Sequence, residues 1–160
     1  MSVPTLQSNF IAASLFVVYV NGQYVLSTKA ALVTAVDAWV ADSTTATATY
    51  GAINTWDVSG CTDMSNIFQN EATFNDDISN WDTSQATTMR GMFNSASAFN
   101  QDISGWDVSS VTDFVEIFRS VSSFNQPIGT WNTGAGLVFN YMFASATSFD
   151  QDIYTCNVIS

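Results

Sequence analysis

Apolar and polar positions alternate along this chain on two scales, one local and one set by a long repeat. The local scale dominates the N-terminal part. From Thr28, the stretch TKAALVTAVDAWVAD sets Leu32, Val36, Trp39 and Val40 on one helical stripe, with Ser27 or Thr28 as N-cap. It predicts one amphipathic helix, placed to close the N-terminal end of the core that follows; a partner-binding helix is the other reading. Upstream, FIAASLFVVYV from Phe10 to Val20 is the most apolar run and is too short to cross a bilayer. It has the length of a secretory h-region, but no Lys or Arg precedes it and no small-x-small cleavage site follows. A β-hairpin fits better: VVYV, a type I′ turn at Asn21-Gly22, then QYVL. The Ser/Thr/Ala run DSTTATATYG after the helix reads as a loop.

The long scale begins near Tyr50. Trp56, Trp81, Trp106 and Trp131 are evenly spaced, and the same step links Ile53, Ile78, Ile103, Ile128 and Ile153. Two phenylalanine columns, 68/93/118/143 and 74/99/124/149, keep the spacing without an insertion. A fixed period of this size predicts units that bury their apolar residues only by stacking on their neighbours. Within one unit, Ile103, Trp106 and Val108 follow the leucine-rich-repeat strand spacing L-x-x-L-x-L, with Trp106 and Val108 inward and Asp107 outward. SSVTDFVEIF then offers Ser110 or Thr112 as a cap and Phe114, Ile117 and Phe118 at helical spacing, predicting a short helix. The phrases FNQDI and FNQPI return the chain, with Asn100 and Asn125 set to satisfy turn backbone groups.

The expected fold class is therefore α/β. It is a repeat solenoid resembling a leucine-rich repeat, of about four to five coils, with short parallel strands on one face and short helices on the other. Helices need wider spacing than strands, so the strand face is expected to be concave. Residues 1–27 form the apolar segment and hairpin, 28–49 the capping helix and loop, and 50–160 the repeats.

Composition narrows the chemistry. Hydrophobic residues make up 47% of the 160, ample for one continuous core. Three basic residues, Lys29, Arg90 and Arg119, face fourteen acidic ones, for a net charge of −11. Nucleic acids and anionic membrane surfaces need clustered Lys and Arg and are poor partners for such a chain. There is no histidine, which removes the usual general base of hydrolases and the commonest transition-metal ligand. Cys61 stands in the column of Ala86, Val111 and Gly136, and Cys156 in the tryptophan column. Both read as core fillers rather than a disulfide.

The phrases WDVSSVTD and FNQDISGWDVS, with the pairs Met92-Phe93 and Met142-Phe143, resemble the BspA-like leucine-rich-repeat surface proteins, whose repeat has the same length. The resemblance spans Tyr50 to Asn157, and the helix followed by YG-x-I-x-x-W-D-V-S is similar to that family's N-terminal lead-in. It implies a cell-surface or secreted location and a role in adhesion, and it brings no catalytic residues. The chain departs from the pattern at Phe10 to Val20, at Gly134-Ala135-Gly136, at Cys156, and in having no lipobox cysteine.

The function expected is a non-catalytic surface or assembly protein, a repeat scaffold for protein–protein interaction or adhesion, with no cofactor. Its candidate binding residues are the outward columns of the strand face: Asp57, Asp82, Asp107 and Asn132, with Ser59, Ser84 and Ser109 beside them. Small polar columns lack the Trp, Tyr and Arg anchors of strong interfaces, so binding through them is expected to be weak or multivalent. Aspartate columns raise an alternative, a calcium-stabilised carbohydrate- or cell-surface-binding module. No glycine-aspartate calcium loop occurs, and the expectation is solvated or turn-capping carboxylates without a metal. A glycosidase-like carboxylate pair is disfavoured because the aspartates recur with every unit, and an ice-binding face because aspartates interrupt the threonines. Ile153, Cys156 and Val158 begin another strand at the C-terminal end. They form the expected assembly edge, docked with the apolar Phe10 to Val20 segment on other subunits or a symmetry mate within a larger assembly; the other reading is a fragment whose later repeats are missing.

Overall fold

Thr28 Oγ1 accepts the Ala31 N–H at 3.2 Å and starts helix α1 (Lys29–Ala41), which buries Ala31, Leu32, Ala35 and Val36. In this computed structural model residues 18–20 and 23–153 are described. Asp42 ends α1 and caps a second helix, α2 (Ser43–Tyr50), by accepting the N–H groups of Thr44 and Thr45. The loop expected over DSTTATATYG is thus a helix. Its aspartate cap offsets the modest helix propensity of threonine, and the Thr47 and Thr49 hydroxyls fold back onto the carbonyls of Ser43 and Thr45. Gly51, at φ 73° and ψ −179°, a conformation open to glycine, stops it.

Strands β1 (Val18–Val20) and β2 (Gln23–Val25) pair antiparallel, Val18 opposite Val25 and Val20 opposite Gln23. The expected Asn21-Gly22 turn and the apolar run from Phe10 to Val17 lie outside the described residues. β2 joins the first repeat: Asp57 N donates to Tyr24 O at 2.9 Å and Leu26 N to Asp57 O at 2.7 Å. Across the first repeat lies α1, where Lys29 reaches Asp63 at 3.2 Å and also Ser65. Farther along α1, Trp39 Nε1 donates to Asp76 Oδ2 at 2.7 Å, and its ring meets Trp56 edge-on at 5.8 Å.

The solenoid of parallel strands and short helices is overturned. Among the described residues, repeat segments contain no α-helix and no extended strand, only single parallel bridges Asp63–Thr88, Thr88–Asp113 and Asp113–Val138, and 3₁₀ turns at Ile53–Thr55 and Ile128–Thr130. The expected strand Ile103–Val108 closes turns on itself, with Trp106 N donating to Ile103 O at 3.1 Å and Val111 N to Val108 O at 3.0 Å. Local carboxylates cause this. Asp102 accepts the Ser104 N–H and Asp107 the Ser109 N–H, both at 2.9 Å, and such side-chain acceptors just upstream bend an otherwise extended backbone.

Where a short helix was expected, the units join instead. Met89, Gly91, Phe93 and Ser95 donate their N–H groups to the carbonyls of Asp113, Val115, Ile117 and Arg119 in the next unit, at 2.8–3.0 Å. Met64, Asn66, Phe68 and Asn70 do the same one unit earlier, and Phe114, Glu116, Phe118 and Ser120 one unit later. A helix turns these donors onto its own carbonyls; here a left-handed residue recurs and points alternate N–H groups outward along the stack. Asn66, Gly91, Glu116 and Tyr141 form one positive-φ column, and Asn70, Ser95, Ser120 and Ser145 the other. This geometry yields an opposite-sign test of helix against ladder. Ser120→Gly at φ 58° is expected to be neutral or to stabilise by up to ~1 kcal/mol in urea unfolding. A loss of ~1 kcal/mol, the usual cost of glycine inside a helix, would restore the helix.

The core consists of the columns predicted by the repeat. Equivalent rings stack: Trp81 on Trp106 at 6.5 Å, Phe93 on Phe118 at 5.8 Å, Phe99 on Phe124 at 6.0 Å. Each indole also ties two units, since Trp81, Trp106 and Trp131 donate Nε1–H to the carbonyls of Ile53, Ile78 and Ile103 at 2.8–3.2 Å. Asn75, Asn100 and Asn125 form a further ladder, their Oδ1 atoms accepting the backbone N–H groups of Asn100, Asn125 and Asp150 at 2.8–2.9 Å.

Candidate functional site

Two surfaces compete for a functional role, the polar columns and the last rung of the ladder. Asp82, Asp107 and Asn132 are exposed, while Asp57 is half-buried beside β2. Each turns an oxygen inward to its own backbone: Ser59, Ser84, Ser109 and Gly134 donate N–H to these side chains at 2.9–3.2 Å. Ser59, Ser84 and Ser109 are half-buried within those turns. The structure therefore brings the expected binding columns together at unit intervals, on turns rather than on a strand face. Among the described residues, no group of three or more acidic or cysteine side chains is placed to hold one ion.

These hydrogen bonds set the acidity of the carboxyls. The Ser109 hydroxyl and N–H hold Asp107 below the usual carboxylate range, and the Ser104 pair does so for Asp102. For Asp77 the Ser79 N–H is the main cause. Burial raises Asp63, but the Ser65 hydroxyl and N–H and the Lys29 ammonium together outweigh it and leave its pKa lowered. A carboxyl with a lowered folded pKa contributes stability above its unfolded value, near ~3.9, and loses that contribution as pH falls through the folded value. The melting temperature is thus expected to hold between pH 7 and 5 and to fall below about pH 4. Asp107→Asn keeps the turn, as Asn132 does in its own unit, and is expected to make that acid limb shallower in a pH series of thermal melts. An unchanged limb would show that the Ser109 contacts contribute nothing.

Cys61 is buried, its Sγ 2.9 Å from the Leu26 carbonyl, and burial pushes its thiol up to about 11, with Asp63 adding to the shift. It is a free, unreactive core thiol, and its would-be partner Cys156 lies outside the described residues, as does Val158. Ile153, the described member of the expected assembly edge, is 41% exposed.

The more distinctive surface was missed in the sequence. In the fourth unit Leu137 is 80% and Tyr141 68% exposed, with Val138 beside them. Their equivalents in the earlier units are Thr62, Thr87 and Thr112 for Leu137, Asp63, Thr88 and Asp113 for Val138, and Asn66, Gly91 and Glu116 for Tyr141. Here three outward columns turn apolar together while staying exposed, and that switch was the available signal. The same rung carries the ladder's next donors, the N–H groups of Phe139, Tyr141, Phe143 and Ser145, and none has an acceptor among the described residues. Nearby, buried Thr133 Oγ1 has no partner among the described residues, whereas its counterpart Thr83 donates to Asp107 O of the following unit at 2.8 Å. Arg119 lies over the Tyr141 ring at 5.9 Å.

No helix among the described residues is long and apolar enough to cross a membrane. The family model described as "Mycoplasma protein of unknown function, DUF285" matches residues 34–157. No curated protein and no solved structure matches the chain.

Proposed function

We propose, for a chain that belongs to this family of Mycoplasma proteins of unknown function, a non-catalytic role at a cell surface, as a repeat scaffold for protein–protein interaction or adhesion. The carrying observation is the fourth unit, where the repeated polar columns give way to exposed Leu137, Val138 and Tyr141 on an otherwise regular stack. An apolar cluster on a rigid repeat array suits docking on another protein, since exposed patches of this kind mark interaction sites. The aspartate columns support a structural rather than a chemical role, because Asp57, Asp82 and Asp107 each already accept a backbone N–H. The surface location rests on the likeness of WDVSSVTD and FNQDISGWDVS to BspA-like surface proteins.

Cysteine accessibility on the cells that make the protein tests both halves. In a Cys156→Ser background, with Cys61 buried, single cysteines are introduced at Gly105, where an added Cβ meets nothing within 4 Å, and at Leu137. A membrane-impermeant maleimide is expected to label Gly105→Cys on intact cells and Leu137→Cys only after extraction of the protein. Labelling of neither before lysis would contradict the surface location, and equal labelling of both would contradict docking at the fourth unit.

A further inference from the structure

We propose that the groove between the end of α1, the start of α2 and the return loop of the first unit binds a neutral pyranose sugar. This goes beyond the proposed scaffold role and is independent of docking at Leu137. It uses none of the aspartate columns at Asp57, Asp82 and Asp107. The return loop changes partner at the first unit. In the second and third units it is tied to the unit before: Ala98 and Ser123 donate N–H to the carbonyls of Ala72 and Ser97 at 3.1 Å, and Gln101 and Gln126 donate Nε2–H to the carbonyls of Asn75 and Asn100 at 2.7–2.8 Å. The first unit has helices before it instead. There the glutamine column holds Asp76, whose Oδ2 accepts Trp39 Nε1–H at 2.7 Å, and the Thr73 N–H has no acceptor among the described residues. One tryptophan bond thus stands where later units have a continuous seam. Beside it lies a groove of about 330 Å³, lined in part by Trp39, Val40, Ser43, Thr73 and Asp76. That volume is within the range of small-ligand sites, ~300–1,000 Å³.

The lining selects the ligand. Trp39 is half-buried, and its indole is fixed by Asp76 and by edge-on contact with Trp56 at 5.8 Å. A fixed aromatic ring with Val40 beside it suits the C–H face of a pyranose. Around it are polar groups of both kinds, none bonded to another described residue: the Thr73 N–H donates, Asp76 Oδ1 accepts, and the Ser43 and Thr73 hydroxyls do either. A sugar hydroxyl, itself donor and acceptor, matches such a mixed set. Anions are repelled, because the two charged residues lining the groove are Asp42 and Asp76. A cation fits less well, since Asp42 is already engaged by Thr44 and Thr45 and Asp76 by Trp39, and the open Thr73 N–H turns a positive end to it.

The test is an NMR titration of the full 160-residue chain with N-acetylglucosamine, methyl galactoside and methyl glucoside. At least one of these is expected to give a saturable shift of the Trp39 indole N–H and the Thr73 amide, while the indole signals of buried Trp81, Trp106 and Trp131 stay in place. Sialic acid and spermidine are expected to leave both signals unmoved. Ser43→Phe and Thr73→Tyr, at exposed positions on the two walls, fill the groove. Each is expected to weaken binding by about tenfold or more with the melting temperature retained. Two variants are used so that a folding defect in one leaves the other to decide. No shift with any of the three sugars overturns the inference, as does an equal shift with sialic acid or spermidine, or undiminished binding by a folded variant. A Thr73 amide already protected from exchange in the sugar-free chain overturns it too, since the groove is then filled by the chain itself.

Discussion

Trp106→Ala is expected to destabilise the fold by ~3–5 kcal/mol in chemical denaturation, more than any substitution of its neighbour Asp107. The indole is buried at 4% exposure, stacks on Trp81 at 6.5 Å and Phe93 at 6.1 Å, and donates Nε1–H to Ile78 O at 3.2 Å. Truncation leaves a cavity bounded by aromatic rings that are fixed by their own stacks and cannot collapse into it, and it strands a buried carbonyl. Asp107 is exposed, and its removal loses only local turn contacts with Ser109. Equal losses at the two positions would mean that the tryptophan column is not the core.

Phe118→Ala is expected to lose a similar ~3–5 kcal/mol, because this fully buried ring touches Phe93 at 5.8 Å, Phe124 at 4.1 Å and Phe143 at 5.6 Å. Its equivalent one unit on, Phe143, is only partly buried. It stacks on Phe118 and Phe149, with no later ring above it among the described residues. Phe143→Ala is therefore expected to lose roughly half as much. Unfolding midpoints for the pair measure the difference directly, and a Phe143→Ala loss equal to that of Phe118→Ala would show that the fourth unit is as enclosed as the third.

The repeat period and the identity of the core columns were legible in the sequence because stacking demands the same ring at the same place in every unit, and Trp56 through Trp131 satisfy that demand. The local conformation was not. Phe114, Ile117 and Phe118 have helical spacing, yet a run of short turns buries the same positions. The distinguishing feature, a left-handed residue at 116 and 120, falls on Glu and Ser, which carry no such signal. Likewise Ile103, Trp106 and Val108 matched a strand template, but Asp102 and Asp107 stand just before Ser104 and Ser109, and those local acceptors decide the outcome. Threonine-rich 43–50 reads as a loop unless Asp42 is recognised as its cap. The expected polar columns are on the surface, whereas the apolar switch at Leu137, Val138 and Tyr141 emerges only when the units are aligned and their outward positions compared.

Directional stacking of unit on unit through backbone N–H groups is the central claim, and amide exchange of the 160-residue chain alone, resolved by residue, tests it most directly. The account predicts slow exchange at the donors of the first three units, Met64 to Asn70, Met89 to Ser95 and Phe114 to Ser120 at alternate residues. It predicts near-unprotected exchange at Phe139, Tyr141, Phe143 and Ser145. Protection at those last four equal to that of the third unit would contradict it.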